Sequence, residues 1–240
     1  MRELKGLSII MIGGSGGMGN ATANKIAKPG VHIGICSIDD ARLEELNVEL
    51  SEKGADIYTK HVDVSKPIEI RSFIDECNEK FGGVDILLNF AGLSINAKLE
   101  TLTEEQWETV MDVNLKGNYF ATQAFANHVD TKKGALVINF ASMAAKRPVG
   151  GNVHYAAAKS AVYTLSQALA QQMKSKNIKF TTMFPGPTST TFFAGRKTDE
   201  EMVDFMKAED IADLLEYIMV RSDRLVFHEV LVDSYAYFNN

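Results

Sequence analysis

Short apolar runs alternate with longer amphipathic stretches along the whole chain. The runs stand at residues 7–12, 31–36, 57–62, 84–90, 135–140 and 178–184, with a last one near 225–232. Apolar runs of this length, bounded by turn residues, read as buried strands. Helical spacing fills the gaps: Leu43, Leu46 and Leu50 share one face of a helix at 40–53. The helix after the first run ends near Lys28, where Pro29-Gly30 stops it. Ser65 is expected to cap a helix that carries Pro67 in its first turn and runs to about Phe81. Thr103-Glu104-Glu105-Gln106 has the form of a capping box and opens one long helix through Trp107, Met111, Leu115 and Phe120. Two further helices are predicted, one bearing Tyr155 and reaching about Lys174, the other at 209–220. Apolar strands alternating with helices argue an α/β fold with a parallel sheet covered on both faces. No repeat or linker breaks the pattern, so residues 1–240 are expected to form one domain.

Composition narrows the function classes. At 240 residues, 45% hydrophobic and 23% charged, the chain can build a full core. Its net charge is −6 and no basic run is longer than Lys132-Lys133, which argues against nucleic acid as a main partner. Two cysteines, Cys36 and Cys77, make no disulfide framework and suit a reducing compartment. The run at 7–12 is too short for a membrane span and ends in glycines rather than a cleavage site, so the cytoplasm is the expected location.

Two stretches carry chemistry. Gly13-Gly14-Ser15-Gly16-Gly17-Met18-Gly19 lies directly between the first strand and the first helix. Glycine permits a tight turn and close approach to a pyrophosphate, and the helix N-terminus offers oriented N–H groups to the anion. The spacing is G-x-x-x-G-x-G rather than the commoner G-x-G-x-x-G. The second stretch holds Ser142 after an apolar run, then Tyr155 and Lys159 one helical turn apart. A free phenol titrates near pH ~10, and a cation within roughly 4–6 Å would lower that by about 1–3 units, toward the working range of an acid–base catalyst. Alone, Tyr-x-x-x-Lys is equally readable as a surface tyrosine beside a solvated lysine.

Taken with N-F-A-G at 89–92, Asn114 in V-N-L-K-G, and Pro185-Gly186, these motifs stand in a single order. The chain resembles the compact single-domain branch of the short-chain dehydrogenases/reductases over essentially its whole length. The resemblance implies a Rossmann-like, doubly wound parallel sheet of seven strands in the order 3-2-1-4-5-6-7, with a nicotinamide dinucleotide at the carboxyl ends of the strands. It implies that Tyr155 is the acid–base, that Lys159 lowers its pKa and holds the nicotinamide ribose, and that Ser142 orients the substrate carbonyl. Asn114 would hold a water in a proton relay behind Lys159. The cofactor would lie along Gly13, Ser15, Gly17, Met18 and Gly19, then Ser37, with Asp63 and Val64 by the adenine. Asn89, Ala91 and Gly92 would wall the adenosine ribose, and Pro185, Gly186, Thr188 and Thr190 would reach the nicotinamide. Ile12 and Phe90 depart from the family's Thr and Asn at their positions, removing polar contacts but no backbone geometry.

Other readings stand beside these. Asn114 could bend a helix, Asp63 could merely start the helix after Ser65, and Thr190 could be an ordinary loop residue. His154 is next to Tyr155 in the chain and so points elsewhere on a helix. For the cofactor's 2′ position, Ser37 replaces the acidic residue that selects NAD, which leans to NADP. Gly16 and Ile38 bring no cation, and Asp39 and Asp40 stand nearby, so the choice stays open. The substrate pocket is expected from Leu93, Ile95, Ser142, Met143, Val149, Pro187, Phe192 and Phe193, with a lid over 188–205 and no metal. Such walls suit a small or medium apolar carbonyl or alcohol. A 3-oxoacyl-thioester reductase would want a basic surface for an acyl carrier protein, with Lys146, Arg147, Arg196 and Lys197 as candidates. A non-catalytic nucleotide sensor would need the glycine loop but no tuned phenol. Apolar residues on more than one face of the helices after Glu104 and Tyr155 predict a homo-oligomer, a tetramer or dimer.

Overall fold

Strand β1, Ser8–Ile12, is buried at every position, and the whole sheet is laid down around it. The computed structural model describes residues 3–148 and 150–238. β1 pairs in parallel with β2, His32–Ser37, on one side and β4, Ile86–Asn89, on the other. β3, Asp56–His61, lies outside β2, while β5, Ala135–Phe140, β6, Ile178–Pro185, and β9, Glu229–Val232, extend the other edge. The order is β3-β2-β1-β4-β5-β6-β9, seven strands, all parallel, as expected.

Successive residues of a strand face opposite sides of a sheet, and β1 divides the core accordingly. Ile9 and Met11 join one apolar layer, with Ala23 and Ile26 of α1 (Gly17–Ile26), Leu43, Leu46 and Leu50 of α2 (Asp40–Glu52) and Ile211 and Leu215 of α7 (Ala208–Met219). Ile10 and Ile12 join the other, with Phe73 of α3 (Pro67–Phe81), Phe125 of α5 (Gly117–Ala126) and Leu169 of α6 (Val153–Gln172). Both faces are covered, which explains why the strands lack a polar alternation.

Four local features differ from the sequence reading. Ser65 does not cap α3; the N-cap is Lys66, because the Ser65 hydroxyl and N–H are turned back onto the Asp63 carboxylate at 2.7 and 2.9 Å. The capping box at Thr103 and Gln106 is formed and the backbone stays helical through Ala126, but the helix is not a uniform α-helix. It runs as α4, Glu104–Met111, then a π turn, Asp112–Lys116, then α5. Residues 225–228 lie outside the sheet: Leu225 N–H closes a turn on Ser222, and Leu225 and Val226 are exposed. Finally, β7, Thr188–Ser189, pairs with β8, Met206–Lys207, so the base of the predicted lid is clamped by a two-stranded ribbon.

Candidate active site

The carboxyl ends of β1, β4, β5 and β6 bring the chemistry-bearing segments to one edge of the sheet. Gly13 leaves β1 with φ of 72°, and a Cβ there would stand 2.7 Å from the Ala91 backbone. A Cβ on Gly17 would meet the Thr190 side chain at 2.6 Å, and one on Gly19 would meet the Gly14 carbonyl at 2.5 Å. These positions need glycine because strand, loop and helix approach too closely for a side chain. α1 has neither a side-chain cap nor an acidic residue in its first turn. Its first N–H groups and the positive end of its dipole are thus left for an anion, as a pyrophosphate requires.

At the end of β2, the Ser15 hydroxyl donates to Ser37 Oγ at 2.6 Å, and Ser37 Oγ also accepts from Asp39 N–H. Asp39 caps α2 through Arg42 N–H, and Asp40 faces His61 at 2.9 Å. Both carboxylates that complicated the 2′ question therefore have local partners.

Ser142 follows β5 and caps a single helical turn, Met143–Ala145, by accepting from Ala144 N–H. Ser142 stands close enough to Tyr155 for its hydroxyl to favour the phenolate. Lys159, only 4% exposed, donates to the Phe140 carbonyl at 2.8 Å, and its Nζ lies 5.8 Å from the centre of the Tyr155 ring. Asn114 sits in the π turn, where its Nδ2 donates to the Val110 and Leu93 carbonyls at 2.9 and 2.8 Å. Its Oδ1 is buried and has no hydrogen-bond partner among the described residues. Asn114 Oδ1 and Lys159 Nζ flank Gly92, at 2.9 and 3.1 Å from where its Cβ would be.

Burial dominates the proton affinities. It pushes the Tyr155 phenol up to about 12, against smaller opposing effects from the Ser142 hydroxyl and the Arg196 charge. It pushes Lys159 down to about 8. The depression of Tyr155 by Lys159 expected from the sequence does not occur in this geometry, because the ammonium is turned to a backbone carbonyl and desolvation outweighs it.

A cleft of about 380 Å³ collects Met18, Gly92, Ser142, Met143, Tyr155, Lys159, Pro185, Gly186, Pro187, Thr188, Thr190, Phe192 and Phe193. Leu93 and Ile95, expected in the pocket, do not line it; Ser94 between them does. Leu93 instead contributes its carbonyl to Asn114. Val149 lies outside the described residues. The Asn89 side chain is turned into the protein, donating to Asn139 Oδ1 at 2.7 Å, so only its backbone stands beside the loop. Asp63 and Val64 follow β3 outside this cleft; Asp63 is held by Ser65 and Lys66, and Val64 packs in the core under α5. His154 is fully buried and does not line the cleft. Arg147, Asn152, Arg196 and Asp233 do line it, though the sequence did not point to them as pocket residues. They come from loops whose approach is set by the tertiary fold.

Known proteins resemble this chain in sequence and fold. Residues 8–201 match the profile described as short chain dehydrogenase. An uncharacterized oxidoreductase of Staphylococcus epidermidis is 29% identical over 236 residues, covering 97% of this chain and 99% of its own length. An alcohol dehydrogenase of the archaeon Thermococcus sibiricus, solved with 5-hydroxy-NADP, superposes with a TM-score of 0.87 at 26% identity, covering 95% of this chain and 97% of that one. A short chain dehydrogenase of Burkholderia cenocepacia, solved with NADP, gives 0.88 at 26% identity, covering 98% of this chain and 100% of that one. The chain belongs to the short chain dehydrogenase family and is a nicotinamide-dependent oxidoreductase.

Proposed function

We propose that the protein moves a hydride between a nicotinamide dinucleotide and a carbonyl or secondary alcohol, with Tyr155 exchanging the proton. The observation that carries this reading is the meeting of Ser142, Tyr155, Lys159 and Thr190 in one cleft with Gly92 and with Met18 of the first turn of α1. The glycine loop and α1 would hold the pyrophosphate, Lys159 the nicotinamide ribose, and Thr188 and Thr190 the nicotinamide end. The nicotinamide, when bound, supplies or accepts the hydride.

The protein's part is to place the carbonyl and handle a proton. Ser142 donates to the substrate oxygen and sets its position beside the Tyr155 hydroxyl. A phenol with a pKa of about 12 is protonated at neutral pH, so Tyr155 stands ready as a proton donor in the reductive direction. Lys159, near 8, is mostly a cation at neutral pH but yields its proton easily, which suits a relay. The orphaned Asn114 Oδ1, which with Lys159 Nζ flanks Gly92, would accept a hydrogen bond from the water that carries the proton onward. A pure nucleotide sensor would have no use for a buried lysine behind a tyrosine.

Of the two dinucleotides we infer NADP. Ser37 presents no carboxylate to the 2′-phosphate, Asp39 and Asp40 are engaged locally, and the two solved relatives above carry NADP or its 5-hydroxy form. The acyl-carrier reading draws less support. Lys146 pairs with Glu229 at 2.8 Å, Arg147 with Asp233 at 3.6 Å and Lys197 with Glu201 at 2.7 Å, leaving little net positive surface at the mouth. We further read the chain as one domain that works in the cytoplasm as a homo-oligomer; no described helix is long and apolar enough to cross a membrane.

The test is oxidation of NADH and NADPH in parallel against ketones, diketones, aldehydes and acyl thioesters. Tyr155→Phe is expected to lower turnover by about 100-fold or more while cofactor affinity changes less than about two-fold. Turnover that survives the substitution would remove Tyr155 from the chemistry.

A further inference from the structure

One wall of the cleft contains a cation that forms no ion pair among the described residues. The Arg196 guanidinium is stacked 4.5 Å over the Phe192 ring and 5.5 Å from the Phe193 centroid. Phe192 in turn lies 5.9 Å from the Tyr155 ring, so guanidinium, aromatic face and phenol form one continuous surface. Arg196 is also close enough for its charge to favour the Tyr155 phenolate. Yet among the described residues it makes no ion pair, and its only contacts of this kind are the two rings. This is not for want of acids: the chain has 31 Asp and Glu, and neighbouring Lys197, Arg147 and Lys146 are each matched by one. Stacking holds a guanidinium plane in place while leaving its N–H fork free.

We propose that Arg196 is a specificity residue that receives a carboxylate of the substrate, making the physiological substrate an oxo acid or the corresponding hydroxy acid rather than a neutral ketone. The inference rests on the oxidoreductase reading above and refines its substrate class. The carbonyl sits at Ser142 and Tyr155, the apolar body lies against Phe192, and the carboxylate reaches the planar fork of Arg196, which matches it with two parallel hydrogen bonds. The other cleft arginine, Arg147, cannot take this role so readily, because Asp233 already stands beside it. An apolar wall with one oriented cation is the usual way a pocket fixes the direction of an otherwise greasy ligand.

The experiment compares a graded series of aliphatic oxo acids with their methyl esters, in the full-length protein and in Arg196→Gln and Arg196→Lys. Binding is measured by calorimetry in Tyr155→Phe backgrounds, where turnover does not interfere, and NADPH affinity is measured separately in each protein. The best acid is expected to bind about ten-fold or more tightly than its ester. Arg196→Gln should erase that preference, Arg196→Lys should restore part of it, and NADPH affinity should move less than about two-fold. An acid-to-ester ratio near one across the series, or a ratio unaffected by Arg196→Gln, overturns the proposal. So does a selective loss of NADPH affinity with the ratio intact, which would give the guanidinium to a cofactor phosphate. Because binding is read without turnover, the two readings fail separately: acid preference without any nicotinamide-dependent reaction would strike the oxidoreductase chemistry and leave this site standing.

Discussion

Lys159 shows how burial and function pull on one side chain. Its folded pKa of about 8 lies below the value of about 10.4 expected in an unfolded chain. Between those values the unfolded protein holds a proton that the folded protein has released, so stability rises with pH across that window and is penalised most below pH ~8. Tyr155 acts oppositely and later: with a folded value of about 12, it favours the folded state up to pH ~10 and loses that contribution above it. Cys36 and Cys77, whose thiols burial also pushes up, lower stability across the same range, so the lysine is read from pH 8 to about 10 as the difference between variant and wild type. Lys159→Met is expected to remove up to about 1.4 kcal/mol per pH unit of slope in that range, read from urea midpoints against wild type. Equal slopes in both proteins would mean that the ammonium is better solvated than its burial implies. Ser37 offers a second residue-scale test. Ser37→Asp should move preference toward NADH, since a carboxylate bonds a ribose hydroxyl and repels a 2′-phosphate, while Ile38→Arg should move it toward NADPH. Ile38 is 69% exposed at the end of β2, so neither change disturbs the core. Two unchanged ratios of kcat/KM would place the selector elsewhere, with Arg42 the next side chain to examine.

At the scale of elements, the π turn is the feature that a periodic reading could not supply. Trp107, Met111, Leu115 and Phe120 fit one helix by spacing, and the capping box at its start was legible because it is local. The π turn inside that helix was not, because it goes with a contact across the fold: Asn114 Nδ2 donates to the Val110 carbonyl and to that of Leu93, twenty-one residues earlier in the chain. The same division runs through the site. The glycine loop, Tyr155 and Lys159 were readable because strand, loop and helix sit in immediate succession. Ser94 and Asp233 were not, because the loops after β4 and β9 reach the site only when the sheet is ordered. Asn114 should therefore matter to stability as well as to proton handling. Asn114→Ala leaves two carbonyls without their donor and is expected to destabilise the protein by about 1–3 kcal/mol. Asn114→Asp is not a rescue, since a carboxylate cannot donate to either carbonyl. A wild-type denaturation midpoint for the alanine variant would mean that the π turn is held by packing alone.

For the whole molecule, exposed apolar surface argues for self-association. Several apolar residues of the helices after Glu104 and Tyr155 are accounted for within the protomer: Phe125 and Val162 are fully buried and Leu169 nearly so. What is exposed on the layer formed by α4 to α6 includes two aromatic side chains and a valine: Trp107 is 43% exposed, Tyr119 39% and Val153 45%. Aromatic side chains with a polar edge are the type enriched at protein–protein interfaces. A patch on these helices would bury against its own copy in an isologous dimer, the commonest closed arrangement. Trp107 is the only tryptophan in the chain, so its fluorescence reports directly on that surface. Dilution through the dissociation range is expected to shift its emission to the red as the indole becomes solvated, in step with a fall in mass toward the 26.4 kDa protomer by light scattering. Trp107→Glu should give the protomer mass at concentrations where wild type is still assembled, because an unpaired charge placed in an apolar contact is strongly unfavourable. A protomer mass for the wild type at micromolar concentration, or an assembled Trp107→Glu protein, would show that this helical layer does not face a second copy.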